Sequence, residues 1–96
     1  MTHTMYIEFN CNDGKGNEFL QVLLPALEDT RSFDGCERVE TFVNIDETDR
    51  VFLWEKWRDR SSQESYLQWR METGFLDLIG PYMSSLPSIA HLEPQD

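Results

Sequence analysis

The chain has 96 residues, which predicts one domain over residues 1–96 with a core from about residue 5 to 92. Its 18 acidic and 8 basic side chains give a net charge of −10, and this opposes binding to nucleic acids and anionic membrane surfaces, which select basic patches. No apolar run reaches the roughly 18 residues of a membrane span, and the first residues lack the basic and apolar segments of a signal peptide, so we expect a cytoplasmic protein without a membrane partner.

The first third of the chain predicts a strand followed by a helix. In Met5–Asn10, residues Met5, Ile7 and Phe9 share one face because side chains alternate along a strand. In Asn17–Thr30, apolar residues recur at helical spacing and form one stripe. The members of this stripe are Phe19, Leu20, Leu23, Leu24 and Leu27.

The middle of the chain predicts a hairpin of two strands, Cys36–Asn44 and Val51–Trp57. The acidic connection between them, Asp46–Asp49, is too short for a parallel crossover, so the strands should be antiparallel. We expect this connection to be solvated.

The strand Val51–Trp57 has two largely apolar faces, and the rest of the chain is organised around it. Val51, Leu53, Glu55 and Trp57 share one face, while Phe52, Trp54 and Lys56 share the other. One layer of helices can cover only one face of a sheet. The other face is therefore predicted to pair with a second copy of the chain, forming a homodimer.

The last third of the chain predicts a helix, a short bent helical segment and a strand. The helix should begin with Asp59 or Ser61 as its N-cap and end at about Thr73, before Gly74. The bent segment is Phe75–Met83, and the strand is Ser88–Leu92. The resulting order β-α-β-β-α-β predicts a ferredoxin-like α+β fold, in which a four-stranded antiparallel sheet carries its helices on one face.

An arginine lies in the middle of the predicted inward face of the second helix. That face comprises Gln63, Tyr66, Leu67, Arg70, Met71 and Gly74, with Trp69 at its flank. Arg70 needs a partner because arginine keeps its charge, and Glu55 is the matching carboxylate on the sheet. The pair has two interpretations: a buried ion pair that fixes the helix on the sheet, or the polar floor of a pocket walled by Trp57, Tyr66 and Trp69.

The sequence gives only weak signals for a catalytic triad, a metal site or further pocket residues. His3, expected to be disordered, and His91, expected to be structural or exposed, lie near opposite ends of the sequence and form no catalytic triad with a serine. Cys11 and Cys36 lack metal-ligand spacing and are expected to be free thiols, so no metal site is predicted. Asn10, at the end of the first strand, is a candidate pocket residue, although asparagine there is also typical of a turn.

Several segments resemble the antibiotic biosynthesis monooxygenase (ABM) domain family. Phe33–Arg38 is similar to the "pGc-x-x-y" segment that opens the second strand of that family, and Phe52–Trp57 to its "E-x-W" strand. Asp59–Ser65 resembles the start of the following family helix, and Phe75–Pro87 resembles its closing "f-x-x-l" helix. The resemblance covers about residues 5–92.

This resemblance implies a dimeric α+β barrel with a pocket between sheet and helices. Characterised members oxidise phenolic or quinol rings with dioxygen and need no cofactor, while others bind and degrade haem. Trp57 matches the family tryptophan, but Tyr66 stands where many members have the histidine that would bind haem iron, so haem degradation is not expected.

The resemblance also suggests roles for the candidate residues. Arg70 would stabilise a phenolate, Tyr66 would relay a proton, and Trp57 would hold the ring. Trp69, Glu55 and Asn10 would complete the substrate-binding site, with Glu55 orienting Arg70. The alternative is a non-catalytic dimeric ligand-binding or stress-associated protein of the same fold.

Overall fold

The computed structural model describes residues 2–96 and confirms the predicted order of elements, with small shifts at their ends. The elements are β1 (His3–Asn10), α1 (Gly16–Ser32), β2 (Cys36–Val43), β3 (Arg50–Trp57), α2 (Arg60–Glu72), α3 (Phe75–Ile79) and β4 (Ser88–Leu92). A short 3₁₀ helix, Gly80–Tyr82, lies between α3 and β4.

The four strands form one antiparallel sheet in the order β2-β3-β1-β4. Side chains from α1 pack with those of β3 in one cluster, and Tyr66 of α2 packs with Met5 and Trp57 in a second cluster on the same face. The fold is therefore the predicted ferredoxin-like α+β arrangement. It brings His3 and His91 together, because β1 and β4 are neighbours; His3, expected to be disordered, lies in β1.

The buried stripe of α1 differs in part from the predicted one. Phe19, Leu23 and Leu27 are buried as expected, but Leu24 is 48% exposed. At about 100° per residue, Leu24 lies well to one side of the buried arc, whereas Thr30 lies inside it. Thr30 is fully buried and becomes part of the candidate site.

The acidic connection is exposed from Asp46 to Thr48, as expected, but its last residue, Asp49, holds the start of α1. The carboxylate of Asp49 accepts hydrogen bonds from the backbone N–H groups of Gly14 (3.0 Å) and Gly16 (2.9 Å). Gly16 is the first residue of α1, where a helix leaves its N–H groups without partners, and Gly14 lies in the turn just before it. Asp49 thus joins the β2–β3 connection to α1, and these hydrogen bonds lower the pKa of its carboxyl.

The ends of α2 agree with the sequence prediction. Asp59 caps the helix, since its carboxylate accepts a hydrogen bond from the N–H of Ser62 at 2.8 Å. Gly74 follows the helix with φ of 83°, a conformation that glycine adopts without strain. The N-terminal turn packs on Gly35, whose φ is 94°, and a β-carbon at Gly35 would lie 2.5 Å from that of Ser62.

The inward face of α2 is narrower than predicted. Gln63, Tyr66 and Arg70 are buried, but Leu67 and Met71 are exposed, Met71 by 52%. The reason is that α2 does not extend over β4. Leu67 and Met71 instead line an open cleft between α2, α3 and β4.

The sheet face opposite the helices carries exposed apolar side chains in the single chain. Phe42 is 51% and Trp54 is 38% exposed, and Tyr6 stacks on Phe52 with 5.7 Å between ring centroids. We call the set Tyr6, Phe42, Phe52, Trp54 and Leu92 the outer sheet face.

No helix within residues 2–96 is long and apolar enough to cross a membrane.

Candidate functional site

Arg70 joins α2 to α1 through two hydrogen bonds and makes a third within α2. Its Nε donates to Tyr66 Oη at 2.7 Å, and its Nη2 donates to the carbonyl of Ala26 at 2.6 Å and to Thr30 Oγ1 at 3.1 Å. Thr30 Oγ1 and Tyr66 Oη share a further hydrogen bond of 2.6 Å. Arg70, Tyr66 and Thr30 therefore form one buried polar network between the two helices.

Aromatic rings surround the guanidinium of Arg70. Its central carbon lies 4.8 Å from the ring centroid of Trp69, 5.1 Å from that of Phe75 and 5.3 Å from that of Tyr66. The faces of such rings attract a cation, most strongly where water is excluded. These contacts replace the carboxylate that the sequence suggested as the partner of Arg70.

Glu55 and Arg70 do not form the predicted ion pair. Glu55 is only 1% exposed, and its Oε1 accepts a hydrogen bond of 2.8 Å from Trp57 Nε1. Trp57 lies two residues further along β3, on the same face, so its indole N–H is the nearest donor. Both Glu55 and Arg70 face one small cavity, but among the described residues no salt bridge or hydrogen bond joins them.

The small cavity has a volume of about 40 Å³, which we call the inner cavity. Its polar lining consists of Glu55, Tyr66, Arg70 and Thr30, and the remainder is apolar. An engineered cavity of about 150 Å³ can bind benzene, whereas a water molecule takes about 30 Å³. The inner cavity therefore has room for one water or one hydroxyl group and not for a ring.

Two of the three predicted pocket walls, Trp57 and Trp69, lie elsewhere, whereas Tyr66 lines the inner cavity. Trp57 is fully buried and packs against Tyr66, with 5.0 Å between centroids, and Trp69 covers Arg70 and Phe33. Trp57 and Trp69 thus support Glu55 and Arg70 from outside the inner cavity instead of lining it.

A larger apolar cleft adjoins the inner cavity. It has a volume of about 260 Å³ and opens between α2, α3 and β4. It shares four side chains with the inner cavity, namely Ile7, Phe9, Leu67 and Phe75. The rest of its lining is Met71, Leu76, Leu86, Pro87 and Ile89. We call it the outer cleft; it is large enough for an aromatic ring, and the four shared side chains place it next to the inner cavity.

The structure does not bring Asn10 to this site. Asn10 lies on the opposite face of the sheet, where its amide donates to Glu8 Oε2 at 3.4 Å. His3 and His91 are also outside the site, sharing a hydrogen bond of 2.8 Å at the edge of the sheet. Within residues 2–96, no three His, Cys, Asp or Glu side chains are grouped to hold a metal ion, and both cysteines are free.

Sequence reasoning missed Thr30 and Phe75. Thr30 was overlooked because threonine is polar, although its position on α1 falls within the buried arc. Phe75 lies just after α2 in α3, and only the turn at Gly74 brings its ring over Arg70.

Burial and charge shift the pKa values of two site residues. Burial raises the pKa of the Glu55 carboxyl, and the indole of Trp57 and the charge of Arg70 oppose this shift. Burial also raises the pKa of the Tyr66 hydroxyl, against the hydrogen bonds from Arg70 and Thr30. Desolvation dominates at both groups.

The raised pKa of Glu55 predicts how stability depends on pH. The folded state holds the Glu55 proton more tightly than the unfolded state, so stability from this group is complete below the ordinary glutamate pKa. It is lost as pH rises through the raised folded pKa. Within that window the free energy of unfolding should fall by up to about 1.4 kcal/mol per pH unit. Urea unfolding of the wild type and of Glu55→Gln from acidic to alkaline pH measures this.

The Glu55→Gln variant should lack this decline and become more stable than the wild type at alkaline pH. Glu64→Gln removes the same charge from an exposed position on α2 and serves as the matched control. Parallel stability curves for the wild type and Glu55→Gln would contradict the prediction.

Comparison with known proteins agrees with this architecture. The family model "Antibiotic biosynthesis monooxygenase" matches residues 2–79. A search of curated proteins gave no match.

Solved structures share the fold at low sequence identity. A putative antibiotic biosynthesis monooxygenase from Nitrosomonas europaea is 14% identical, with 100% of both chains covered and a TM-score of 0.85. A protein from Shewanella oneidensis is 24% identical, with 95% of this chain and 90% of the other covered and a TM-score of 0.80. A third, from Pseudomonas aeruginosa, is 15% identical over 99% and 95% of the two chains, with a TM-score of 0.85. The family match over most of the chain, together with this fold, shows that the protein belongs to the antibiotic biosynthesis monooxygenase family.

Proposed function

We propose that this protein is a monooxygenase that oxidises a small phenol or quinol with dioxygen. The observation that carries the proposal is that an apolar cleft of about 260 Å³ shares four side chains with an inner cavity lined by four polar residues. Small-molecule sites have this composition, with apolar walls and a few polar groups that orient the ligand. The ring would lie in the outer cleft, and its hydroxyl would enter the inner cavity.

The reaction needs no electrons beyond those of the substrate. A phenol and dioxygen give a quinone and water, because the ring supplies all four electrons that dioxygen accepts. One oxygen atom enters the ring and the other leaves as water. The proposed reaction therefore requires no cofactor.

Arg70 and Tyr66 would act on the phenolate that reacts with dioxygen. Three hydrogen bonds hold the guanidinium of Arg70 in place. Its positive charge can therefore stabilise an anion in the inner cavity without rearrangement. Tyr66 shares that cavity and can hydrogen-bond the substrate oxygen. A ring bound in the outer cleft would displace water from its apolar walls.

Oxygen uptake with a panel of hydroquinones and naphthols tests this proposal, using protein treated with a chelator. With ¹⁸O₂, one labelled oxygen atom should appear in the quinone. Ile89→Trp, which fills the outer cleft, should abolish turnover, whereas Leu24→Trp, on the exposed side of α1, should leave it unchanged. A folded wild-type protein without uptake above background across the panel would contradict the proposal.

One observation favours the second candidate, a ligand-binding protein without catalysis. Arg70 is already committed to Tyr66, Thr30 and Ala26, and the inner cavity is small. For such a protein, a phenol would raise the melting temperature with no oxygen uptake. The same panel therefore distinguishes the two functions.

We also propose that the outer sheet face binds a second copy of the chain. This face exposes Trp54, Phe42 and Leu92, which one layer of helices leaves uncovered. It also carries both signs of charge, with Arg38 beside Glu40 and Lys56 on the adjacent strand. A two-fold axis can place such a surface against itself with opposite charges facing each other.

A further inference from the structure

Glu55 differs from the other polar groups of the inner cavity in its hydrogen bonding. Trp57 Nε1 is its one hydrogen-bond donor among residues 2–96, although a carboxylate has about four acceptor positions. By contrast, Tyr66 Oη contacts both Thr30 and Arg70, and two nitrogen atoms of Arg70 are committed to α1 and Tyr66. Glu55 thus has unused acceptor capacity beside the inner cavity.

A buried carboxylate with unused acceptor positions is costly for a structural role alone. Burying a polar group without enough hydrogen bonds destabilises the fold, and the ring nitrogen of Trp57 offers only one. A water molecule in the inner cavity, or a ligand hydroxyl group that displaces it, would supply the missing donor. The volume of about 40 Å³ fits one hydroxyl oxygen. The ring that carries such a hydroxyl group is too large for the inner cavity and would stay in the outer cleft.

We propose that Glu55 is the general base that removes the hydroxyl proton of a neutral phenol seated in the outer cleft. This inference rests on the proposed function and deepens it by naming the proton acceptor and by limiting the phenol to an uncharged one. The substrate class is an uncharged phenol with an apolar body. The lining of the outer cleft is entirely apolar, and the net charge of −10 disfavours anionic substituents.

The proposed reaction conserves protons and electrons at each step. The Glu55 carboxylate takes the proton of the phenol O–H, and the phenolate forms. Two electrons of the phenolate form a bond between a ring carbon and dioxygen, and the Glu55 carboxyl gives its proton to the outer peroxide oxygen. The O–O bond then breaks, hydroxide leaves with the proton from the same ring carbon as water, and the second C=O bond of the quinone forms.

The surroundings of Glu55 suit this role. Burial raises the pKa of its carboxyl, which brings the base closer to the pKa of a phenol and favours proton transfer. The titratable groups that face it are Arg70 and Tyr66 from α2 and Cys36 from β2, while β1 contributes the apolar Met5. Arg70 is the cation among them, and it favours both the ionised base and the phenolate.

Glu55→Gln tests the proposal, because glutamine can still accept the hydrogen bond from Trp57 but cannot take a proton. With hydroquinone as substrate, the variant should lose about 10²- to 10⁴-fold in the rate of oxygen uptake. With a phenol whose electron-withdrawing groups leave it already ionised at the assay pH, the ratio of the wild-type rate to the variant rate should fall close to one, because no proton remains to be removed. Glu64→Gln, on the surface of α2, should match the wild type. A purely structural Glu55 would give equal losses with both substrates.

A second measurement reads the position of Glu55 beside the bound hydroxyl without turnover. Bound 4-nitrophenol should show less of the visible phenolate absorbance with the wild type than with Glu55→Gln at the same pH, because the ionised Glu55 carboxylate disfavours a second negative charge beside it. This difference without any oxygen uptake would retain Glu55 as a base and overturn the oxygenase. Oxygen uptake that is unchanged in Glu55→Gln would retain the oxygenase and overturn the base. No binding of 4-nitrophenol, or identical spectra with both proteins, would also overturn the base.

Discussion

Replacing Arg70 with alanine is expected to lower the free energy of unfolding by about 3–5 kcal/mol. Hydrogen bonds to a charged group contribute about 1.5–3 kcal/mol each, and Arg70 makes three of them in a buried place. The variant leaves Tyr66 Oη and Thr30 Oγ1 without their guanidinium donors and opens a hole beneath Trp69 and Phe75. Entry of water offsets part of the sum. Urea unfolding monitored by tryptophan fluorescence measures the change.

A second variant separates the branched shape of the Arg70 guanidinium from its charge, and a third serves as a control. Arg70→Lys keeps the charge but cannot donate to Tyr66 and α1 at once, so it should lose an intermediate amount of stability. Arg60→Ala removes an exposed arginine from the first turn of α2 and should change stability by no more than about 0.5 kcal/mol. A loss below about 1 kcal/mol in Arg70→Ala would show that the network between α1 and α2 carries little of the stability.

The sequence predicted those features that depend on simple periodicity. The alternation in β3 identified its buried face, from Val51 to Trp57, because a strand has only two faces and one must be inside. The cap at Asp59 and the end at Gly74 followed from backbone requirements that few residues meet. These features are local, so neighbouring residues suffice to determine them.

The partners within the site are not local, and here the sequence analysis was partly wrong. Matching one buried carboxylate with one buried arginine assumed that opposite charges meet. In the structure, Glu55 is held by Trp57 of its own strand, and Arg70 by the hydroxyl groups and carbonyl of Tyr66, Thr30 and Ala26. Such contacts depend on how far α2 slides along α1, which no spacing within one element encodes.

The position of α2 also explains why its predicted inward face was too wide. A helical wheel treats the sheet as a continuous surface, but α2 leaves the inner face of β4 open beside Leu67 and Met71. The same gap forms the outer cleft, so the apolar residues that the wheel assigned to the core are the walls of the proposed binding site. Apolar spacing alone does not distinguish these two roles.

Replacing Trp54 with glutamate is expected to dissociate the proposed homodimer. Trp54 lies on β3 at the centre of the outer sheet face, between its partners Tyr6 on β1 and Glu40 on β2. Tryptophan at the centre of an interface commonly contributes 2 kcal/mol or more, and the two-fold axis would bring a second glutamate close to the first. We therefore expect the dimer Kd to rise at least roughly 30-fold.

Sedimentation equilibrium over a range of protein concentrations measures the dimer Kd. The comparison of two variants then shows which face of the fold carries the interface. Leu24→Glu is the matched control, since Leu24 is exposed by a similar fraction but lies on α1, on the helical side of the sheet. It should leave the Kd unchanged. Circular dichroism must show both variants folded, because Trp54 also packs within its own sheet. A wild-type protein that sediments as a monomer at all concentrations would contradict the interface, and the apolar side chains of the outer sheet face would then need another partner.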